Sequence, residues 1–476
     1  MPSKKTTQLE TSVEVANQNE NWTLFEVTVT NTLSTPLDAE DCILDVVADA
    51  AVIGDFKSAW VELDMEAHAA TAGTTLTITL EAEEDPVFID PGASFVIGFD
   101  FNHGDLTEED ITCTATVDEG AGETPGLDTP STRGALFVGS DGRLKGEDGE
   151  DILLLGMSSH GYTWYGEFLN PHSMEQIPSV FSGNLVRVAM YTATEDDMGY
   201  LDFADTGQAS LREEVKTRVQ EAIDADLYVI IDWHLLYDFT YGAQPFPSTD
   251  FTGTVEMGPD EWKGHAIDFF VEMARAFGDS PNVIFEIFNE PNYSTPDNSP
   301  GAPLYTWEDM KGTAEEITDA IRETGAQNVI LVGTPEWCQR LDQVIESPIT
   351  GRENIMYNLH FYAKEHLPEP GQHVFNMFQA AMDEELPIFV SEFGTTMADG
   401  GQGVGQTETE SWLTALNDHS VSYANWSLSN KDEDSAALAT SAEPDTWGAG
   451  DLSPSGGTIA ELYAARPSGG VIKRAV

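Results

Sequence analysis

About four acidic residues stand for every basic one in this chain of 476 residues: 83 Asp and Glu against 21 Lys and Arg, a net charge of −62. That balance argues against a nucleic-acid partner, which needs clustered Lys and Arg, and no run of about 18 apolar residues is present to span a membrane. A hydrophobic fraction of 41%, with 10 Trp, 23 Phe and 13 Tyr, is ample for a core, so the acidity does not read as disorder. It reads as the surface of a folded protein from very salty water, because at about 1 M salt the Debye length falls to roughly 3 Å and repulsion between surface carboxylates is screened.

The first residues, MPSKKTTQLE, carry two lysines but no apolar segment behind them, so no intact signal peptide is readable, and the expectation is either a cytoplasmic protein or one whose signal has been removed and a start Met supplied. From residue 8 to 117 the pattern alternates with period two, in TLFEVTVTN (23–31), CILDVVAD (42–49), TLTITLEA (75–82) and SFVIGFDF (94–101). Short alternating runs separated by turn-rich stretches predict an antiparallel β-sandwich over residues 1–118. Of the three cysteines, Cys42 and Cys113 fall in this region, where the spacing leaves a disulfide open, and Cys338 is expected to be a small buried apolar residue. EGAGETPGLDTPSTR (119–133), rich in Gly, Pro, Thr and acids, reads as a linker.

The texture then changes. Eight apolar runs recur, with helical stretches between them: DILLLGMSSH (151–160), NLVRVAMYT (184–192), LYVIIDWH (227–234), NVIFEIFNEP (282–291), NVILVGTPEW (328–337), NIMYNLHFY (354–362), LPIFVSEFG (386–394) and VSYANWSLSN (421–430). SLREEVKTRVQEAIDAD (210–226) and EWKGHAIDFFVEMARAFG (261–278) carry apolar residues at helical spacing. Continuous apolar strands alternating with helices predict a parallel sheet covered on both faces. Eight of them fit a closed (β/α)8 barrel over residues 134–466 followed by a tail, 467–476, with an open doubly wound sheet as the other solution.

A barrel of this kind does its chemistry at the C-terminal ends of its strands. Those ends carry His160, Arg187, His234, Asn289 with Glu290, Trp337, His360 with Tyr362, Glu392 and Trp426. Any one of them is unremarked in a folded protein; together they converge on one face. Two glutamates at the ends of the fourth and seventh runs suit glycoside hydrolysis, in which one carboxyl protonates the leaving oxygen and the other attacks or activates water. A metal hydrolase is the rival, drawing on His234, His360 and Glu392. The ten histidines contain no HExxH and no helical pair four apart, and the aromatic neighbours suit a sugar better, so no metal or cofactor is expected. Nor does GGQGVGQ (400–406) open a nucleotide-binding unit. Within VIFEIFNEPN (283–292), Glu286 and Glu290 share the inward face of an extended strand. Depth separates them, with Glu286 a structural carboxylate that needs a buried partner and Glu290 at the strand end, where Pro291 stops the ladder.

GMSSHGYTWYGEF (156–168), VRVAMYT (186–192), VIIDWH (229–234), FEIFNEP (285–291), NLHFYA (358–363), IFVSEFGTT (388–396) and ANWSLSNKDEDSAAL (424–438) resemble, in order, glycoside hydrolase family 5, close to its bacterial endoglucanases. The resemblance covers residues 134–466 and implies retaining hydrolysis of β-1,4-glucan on a (β/α)8 barrel. It implies Glu290 as acid/base, Glu392 as nucleophile, Arg187 as the arginine that keeps the nucleophile ionised, and Asn289 as the ligand of the sugar 2-hydroxyl. His360 and Tyr362 match the pair beside the two glutamates, and His234 matches a histidine lining the cleft. Trp426 corresponds to the platform under the sugar next to the scissile bond, and Trp164 and Trp337 to platforms further out. His160, Tyr191, Lys431 and Glu433 fall where relatives contact glucose hydroxyls. Two departures bear on the subsites: Phe393 stands where many relatives carry Trp, and the segment 235–259 is long, with Tyr237, Phe239, Tyr241 and Phe246 available to extend a cleft.

WTLFEVTVTNTLSTPL (22–37), SAW (58–60) and DPGASFVIGFDFN (90–102) are similar to carbohydrate-binding module family 2. Trp22 and Trp60 fall near two of that family's exposed tryptophans; the third is missing, and a purely structural sandwich with both tryptophans in its core is the other reading. The sequence as a whole leads to a secreted, salt-adapted endo-β-1,4-glucanase whose signal has been removed. Mannan, xyloglucan or xylan are alternative substrates, and a catalytically silent polysaccharide-binding protein is the alternative of another class. Oligomeric state is not readable.

Overall fold

The structure, a computed structural model, describes residues 6–19, 21–32, 37–39, 42–61, 63, 65–72, 74–82, 88–89, 93–104, 106–107, 110–118, 127–192, 198–236, 259–291 and 306–465. These form two compact units, Met1–Gly126 and Leu127–Val476. Tyr237, Phe239, Tyr241 and Phe246, residues 119–126 of the expected linker and the tail 467–476 lie outside the described residues. The end of the expected linker belongs to the second unit. Pro130–Arg133 forms a helical turn whose Ser131 amide donates to Asp226 at 2.9 Å, as the Thr129 hydroxyl does at 2.7 Å. Among the described residues no helix is long and apolar enough to cross a membrane.

The first unit is built on antiparallel sheets of five and four strands, with a further two-stranded pair, Leu37–Asp38 and Phe88–Ile89. Alternation gives each sheet one apolar face, and Phe25, Val27, Val29, Leu44, Val46, Leu76, Ile78, Phe95, Ile97 and Phe99 form one buried cluster. Cys42 and Cys113 are on neighbouring strands, but Cys42 faces Val117 and Cys113 faces Val46, and both thiols are free. On the outer face of the four-stranded sheet, Gly98 lies directly between Glu26 and Trp60. A Cβ on Gly98 would meet the Trp60 ring at 2.1 Å, so the glycine is what lets the indole lie over the sheet. Trp60 is 39% exposed and so is not a core residue; Trp22, half-buried, alternates onto the same face as Glu26.

The second unit is a closed barrel of eight parallel strands. Chain order gives β1 (Leu155–Ser159), α1 (Pro171–Phe181), β2 (Leu185–Tyr191), α2 (Asp205–Asp224), β3 (Tyr228–His234), α3 (Pro259–Phe277), β4 (Val283–Glu286) and α4 (Trp307–Glu323). It continues with β5 (Ile330–Val332), α5 (Leu341–Glu346), β6 (Ile355–Tyr362), α6 (His373–Asp383), β7 (Ile388–Gly394), α7 (Gln406–Asp418), β8 (Tyr423–Leu428) and α8 (Pro454–Ala464). Helix starts are chemically marked. Asn170 accepts from the Ser173 amide at 2.8 Å ahead of Pro171, and Ser453 accepts from the Gly456 amide at 3.1 Å ahead of Pro454.

Inside the barrel, Leu185, Ile230, Ile284, Leu331, Met356, Phe389 and Ala424 fill the lower level. The outward residues of the same strands, among them Val188, Ile231, Trp233, Phe285, Leu359 and Val390, pack with the helices in a second and larger cluster. Phe393 belongs to this outer cluster: it is fully buried, stacks on Phe361 at 5.4 Å and meets Tyr423 edge-on at 5.7 Å. The departure at 393 is therefore a packing position between barrel and helices, outside the cleft. Because no space surrounds it, Phe393→Trp should overpack this layer and cost about 1–3 kcal/mol of stability, read as a lower denaturant midpoint, with KM for a soluble glucan unchanged.

Candidate active site

Directly above the apolar floor the barrel interior turns polar, and Arg187 lies at the centre of its contacts. This side chain has no solvent exposure. Its Nε and Nη2 donate to Glu286 at 2.8 and 3.1 Å, Nη1 donates to Glu392 at 3.0 Å and to Ser158 at 3.2 Å, and Nη2 also donates to Asn289 Oδ1 at 2.6 Å. An oxygen of Asp232 lies 3.0 Å from Nη2 as well. Glu286 takes two further bonds, from Asn358 Nδ2 at 2.7 Å and from the Ser391 hydroxyl at 2.7 Å. The buried partner expected for Glu286 is thus Arg187, in a two-pronged pair.

The ladder between β6 and β7 shifts register between Asn358 and His360, and that between β7 and β8 between Val390 and Phe393. This bulge has a chemical consequence: the consecutive residues Ser391 and Glu392 both bond partners in the barrel interior. Glu392 is held from two sides, by Arg187 and by the Tyr362 hydroxyl, which donates to its other oxygen at 2.8 Å. Burial and the neighbouring Glu392 keep the Tyr362 phenol well above its ordinary range, so it remains a donor.

Glu290 follows β4 on a turn that is clamped by its backbone. The Asn289 and Glu290 amides donate to the Trp233 and Leu235 carbonyls at 3.3 and 2.9 Å. The Cys338 thiol donates to the Asn289 carbonyl at 2.9 Å, so Cys338 does more than fill space. Glu336, Trp337 and Cys338 all have positive φ, 54–61°, a left-handed turn that brings the Trp337 amide 3.2 Å from the Pro291 carbonyl. The Glu290 side chain is 12% exposed and one of its oxygens lies 2.9 Å from His360 Nδ1. Burial, only partly offset by Arg187, pushes its carboxyl up to about 7. A carboxylate oxygen of Glu290, a ring nitrogen of His360 and a carboxylate oxygen of Glu392 lie within 4.8 Å of one another. This is the grouping of metal-ligand type among the described residues, and the Arg187 guanidinium already supplies positive charge to it.

Aromatic rings line the approach. His234 lies between the rings of Tyr191, at 4.1 Å, and Trp426, at 5.3 Å and nearly parallel, and His160 is 5.0 Å from Trp426. Trp164 meets Tyr191 edge-on at 4.8 Å. His234 Nδ1 is 2.7 Å from Asp232, whose carboxyl is pushed up to about 8 by burial against the opposing pull of Arg187. His160 Nδ1 lies 3.2 Å from the Ser427 hydroxyl and 3.6 Å from Glu433, which pairs with Lys431 at 2.6 Å. Burial lowers the His160 imidazole to about 4.

These contacts join Arg187, Asn289, Glu290, His360, Tyr362, Glu392 and His234, and bring His160, Trp164, Tyr191, Trp426, Lys431 and Glu433 to the same rim. Trp337 joins them through its backbone beside Pro291. Sequence reasoning missed Ser158, Asp232, Asn358 and Ser391. The signal for Asp232 and Asn358 was present, since each lies two residues before an inward histidine. For Ser391 strict alternation points the wrong way, because Glu392 beside it is inward too.

A family model described as Cellulase (glycosyl hydrolase family 5) matches residues 146–432. Endoglucanase A of Evansella cellulosilytica is 38% identical over 314 residues, 66% of this chain and 56% of that protein. Endoglucanase N of Pectobacterium atrosepticum is 37% identical over 336 residues, 70% of this chain and 66% of that protein. The chain thus spans less than two thirds of the length of these curated relatives. Among solved structures it is similar to a thermostable, highly halotolerant GH5 cellulase from an Icelandic hot spring isolate, with TM-score 0.61 and 31% identity over 73% of this chain and 100% of that one. The alkaline cellulase K catalytic domain is similar at TM-score 0.60 and 31% identity, over 73% and 98% of the two chains. With more than half of its length matched by the family model, the chain belongs to glycosyl hydrolase family 5.

Proposed function

We propose that the barrel is a retaining endo-β-1,4-glucanase whose acid/base is Glu290 and whose nucleophile is Glu392. The observation that carries this reading is the pair itself: two carboxylates within 4.8 Å across the barrel mouth, in unequal surroundings. A separation this short leaves no room for a water between carboxylate and sugar, which inversion requires. Glu392 is aimed by its bonds to Arg187 and Tyr362. Glu290, desolvated and less compensated, holds a proton near neutrality.

In the first step a Glu392 oxygen bonds the anomeric carbon while the Glu290 proton passes to the glycosidic oxygen, whose bond to that carbon breaks. The nucleophile's charge is then spent in an ester, and Glu290, now ionised, takes a proton from the water that displaces Glu392. Asn289 has its Oδ1 committed to Arg187 and one Nδ2 hydrogen to the Leu235 carbonyl at 3.2 Å; the other Nδ2 hydrogen, on the side of His234 Nε2 at 3.4 Å, is read as the donor to the sugar 2-hydroxyl. Trp426, Trp164 and Trp337 serve as sugar platforms, and His160, Tyr191, His234, Lys431 and Glu433 bind hydroxyls. A β-1,4-glucan substrate is supported by the endoglucanase names of the relatives and by a cellotetraose complex of the Thermobifida fusca neighbour, 26% identical at TM-score 0.59. A polymer this size is cut outside the cell, so we read the enzyme as secreted, and its charge of −62 as adaptation to salt. The first unit is read as a polysaccharide-binding module, with Trp60 and Trp22 on one sheet face as its contact surface.

Five measurements test these readings. Glu290→Gln and Glu392→Gln should each lower kcat on carboxymethylcellulose by orders of magnitude while cello-oligosaccharide binding survives; near-normal turnover in either refutes the pair. In the wild type, kcat/KM should fall on the alkaline side with a midpoint near pH 7, because the acid must be protonated to donate. Mannan and xylan in the same reducing-sugar assay should be poorer substrates. Dialysis from molar salt to low salt should lower both melting temperature and activity, whereas a melting curve indifferent to NaCl removes the salt reading. Finally, Trp60→Ala in the full chain should weaken retention on insoluble cellulose severalfold and leave hydrolysis of a soluble glucan unchanged.

A further inference from the structure

The contacts of His360 carry more information than its nearness to Glu290. Its Nδ1 lies 2.9 Å from Glu290, and its Nε2 lies 2.9 Å from the Ser391 hydroxyl. The Ser391 hydroxyl lies 2.7 Å from Glu286 Oε1. Glu286 is bound in two-pronged fashion by the Arg187 guanidinium, and its Oε1 takes the Arg187 and Asn358 N–H groups as donors, so although burial raises this carboxyl that oxygen can only accept from Ser391. Ser391 has one proton, and it goes to Glu286. Its oxygen can then only accept from the imidazole, which places a hydrogen on His360 Nε2. Burial drives the imidazole down to about 4, so it is neutral under working conditions and carries only that one hydrogen.

We propose that Ser391 is a positioning residue that fixes the tautomer of His360, presenting an unprotonated Nδ1 to Glu290 and so favouring the protonated acid. This rests on the reading of Glu290 as acid/base. In the resting enzyme the Glu290 proton lies toward Nδ1, and rotation of the carboxyl group offers it to the glycosidic oxygen. Once it has been given up, the lone pair of Nδ1 faces a carboxylate and disfavours it, which strengthens Glu290 as the base that removes a proton from water in the second step. No proton leaves or enters His360 during the cycle. The opposite tautomer, with hydrogen on Nδ1, would instead stabilise ionised Glu290 and blunt both steps.

Other groups also act on Glu290. Arg187 and Tyr191 come from β2, Asp232 from β3, Glu286 from β4, Cys338 from the turn after β5, Tyr362 from β6 and Glu392 from β7. Replacing Ser391 by alanine alters none of their charges, so its effect isolates the hydrogen bond.

The tautomer can be read without turnover. In the full-length wild type labelled with 15N-histidine, and with His360→Asn used only to assign the signal, His360 should show a protonated Nε2 and an unprotonated Nδ1. A hydrogen on Nδ1 overturns the proposal, whatever the role of Glu290. For function, Ser391→Ala should move the alkaline limb of kcat/KM down by roughly one pH unit, with KM little changed, because one hydrogen bond in a dry site is worth about that much. Ser391→Thr, which keeps the hydroxyl, should restore the limb. A uniform loss of rate with the limb unmoved would make Ser391 merely structural and sink the idea. An alkaline limb that persists in Glu290→Gln would instead remove the acid/base reading and leave the tautomer result standing.

Discussion

One guanidinium holds the site together. Arg187 carries five N–H groups, and Glu286, Glu392, Ser158 and Asn289 between them take all five. Bringing an arginine and acids out of water costs several kcal/mol per ion, which only near-complete pairing offsets. Asp232, Glu286 and Glu392 share this single cation, and burial, with Glu392 and Glu290 nearby, holds the Asp232 carboxyl up to about 8 against the pull of Arg187. A lysine here would offer three donors in place of a planar fork and leave buried carboxylates unmatched.

The apolar floor beneath Arg187 is what makes this pairing strong. With Leu185, Ile230, Ile284 and Phe389 below and the outer cluster around, water reaches the site only through the mouth. Depth then assigns roles along β4 and the turn after it. Glu286, wholly buried, is saturated with donors and has nothing left for a substrate. Glu290, four residues on, keeps an edge open and a single side-chain partner in His360. The same strand direction thus yields one carboxylate whose lone pairs are all used and another that keeps some open.

Much of this was legible in the sequence, for physical reasons. Parallel strands buried on both faces need unbroken apolar runs, and eight of them appear as such; residues at run ends have no packing reason to be polar, so His160, His234, Asn289, Glu290, His360 and Glu392 stood out. What stayed hidden depends on departures from regular geometry. The β7 bulge turns Ser391 and Glu392 inward together, which period-two reading forbids. Three successive left-handed residues, Glu336 to Cys338, make a turn that no glycine announces. Phe393 looked like a cleft residue by its place in VSEFG, yet after the bulge it points to the helices and stacks on Phe361.

The charges of this protein fall into two regimes that salt separates. Surface carboxylates repel one another through water, where a Debye length of roughly 3 Å at about 1 M salt cancels most of the repulsion. Arg187 and its partners have 0–5% side-chain exposure and interact through protein, where ions do not enter and screening is weak. Salt therefore acts on the surface charges and leaves the buried pairs around Arg187 largely alone. The exception is the rim, where Lys431 is 38% exposed and bridges to Glu433, which faces His160. There the two regimes meet.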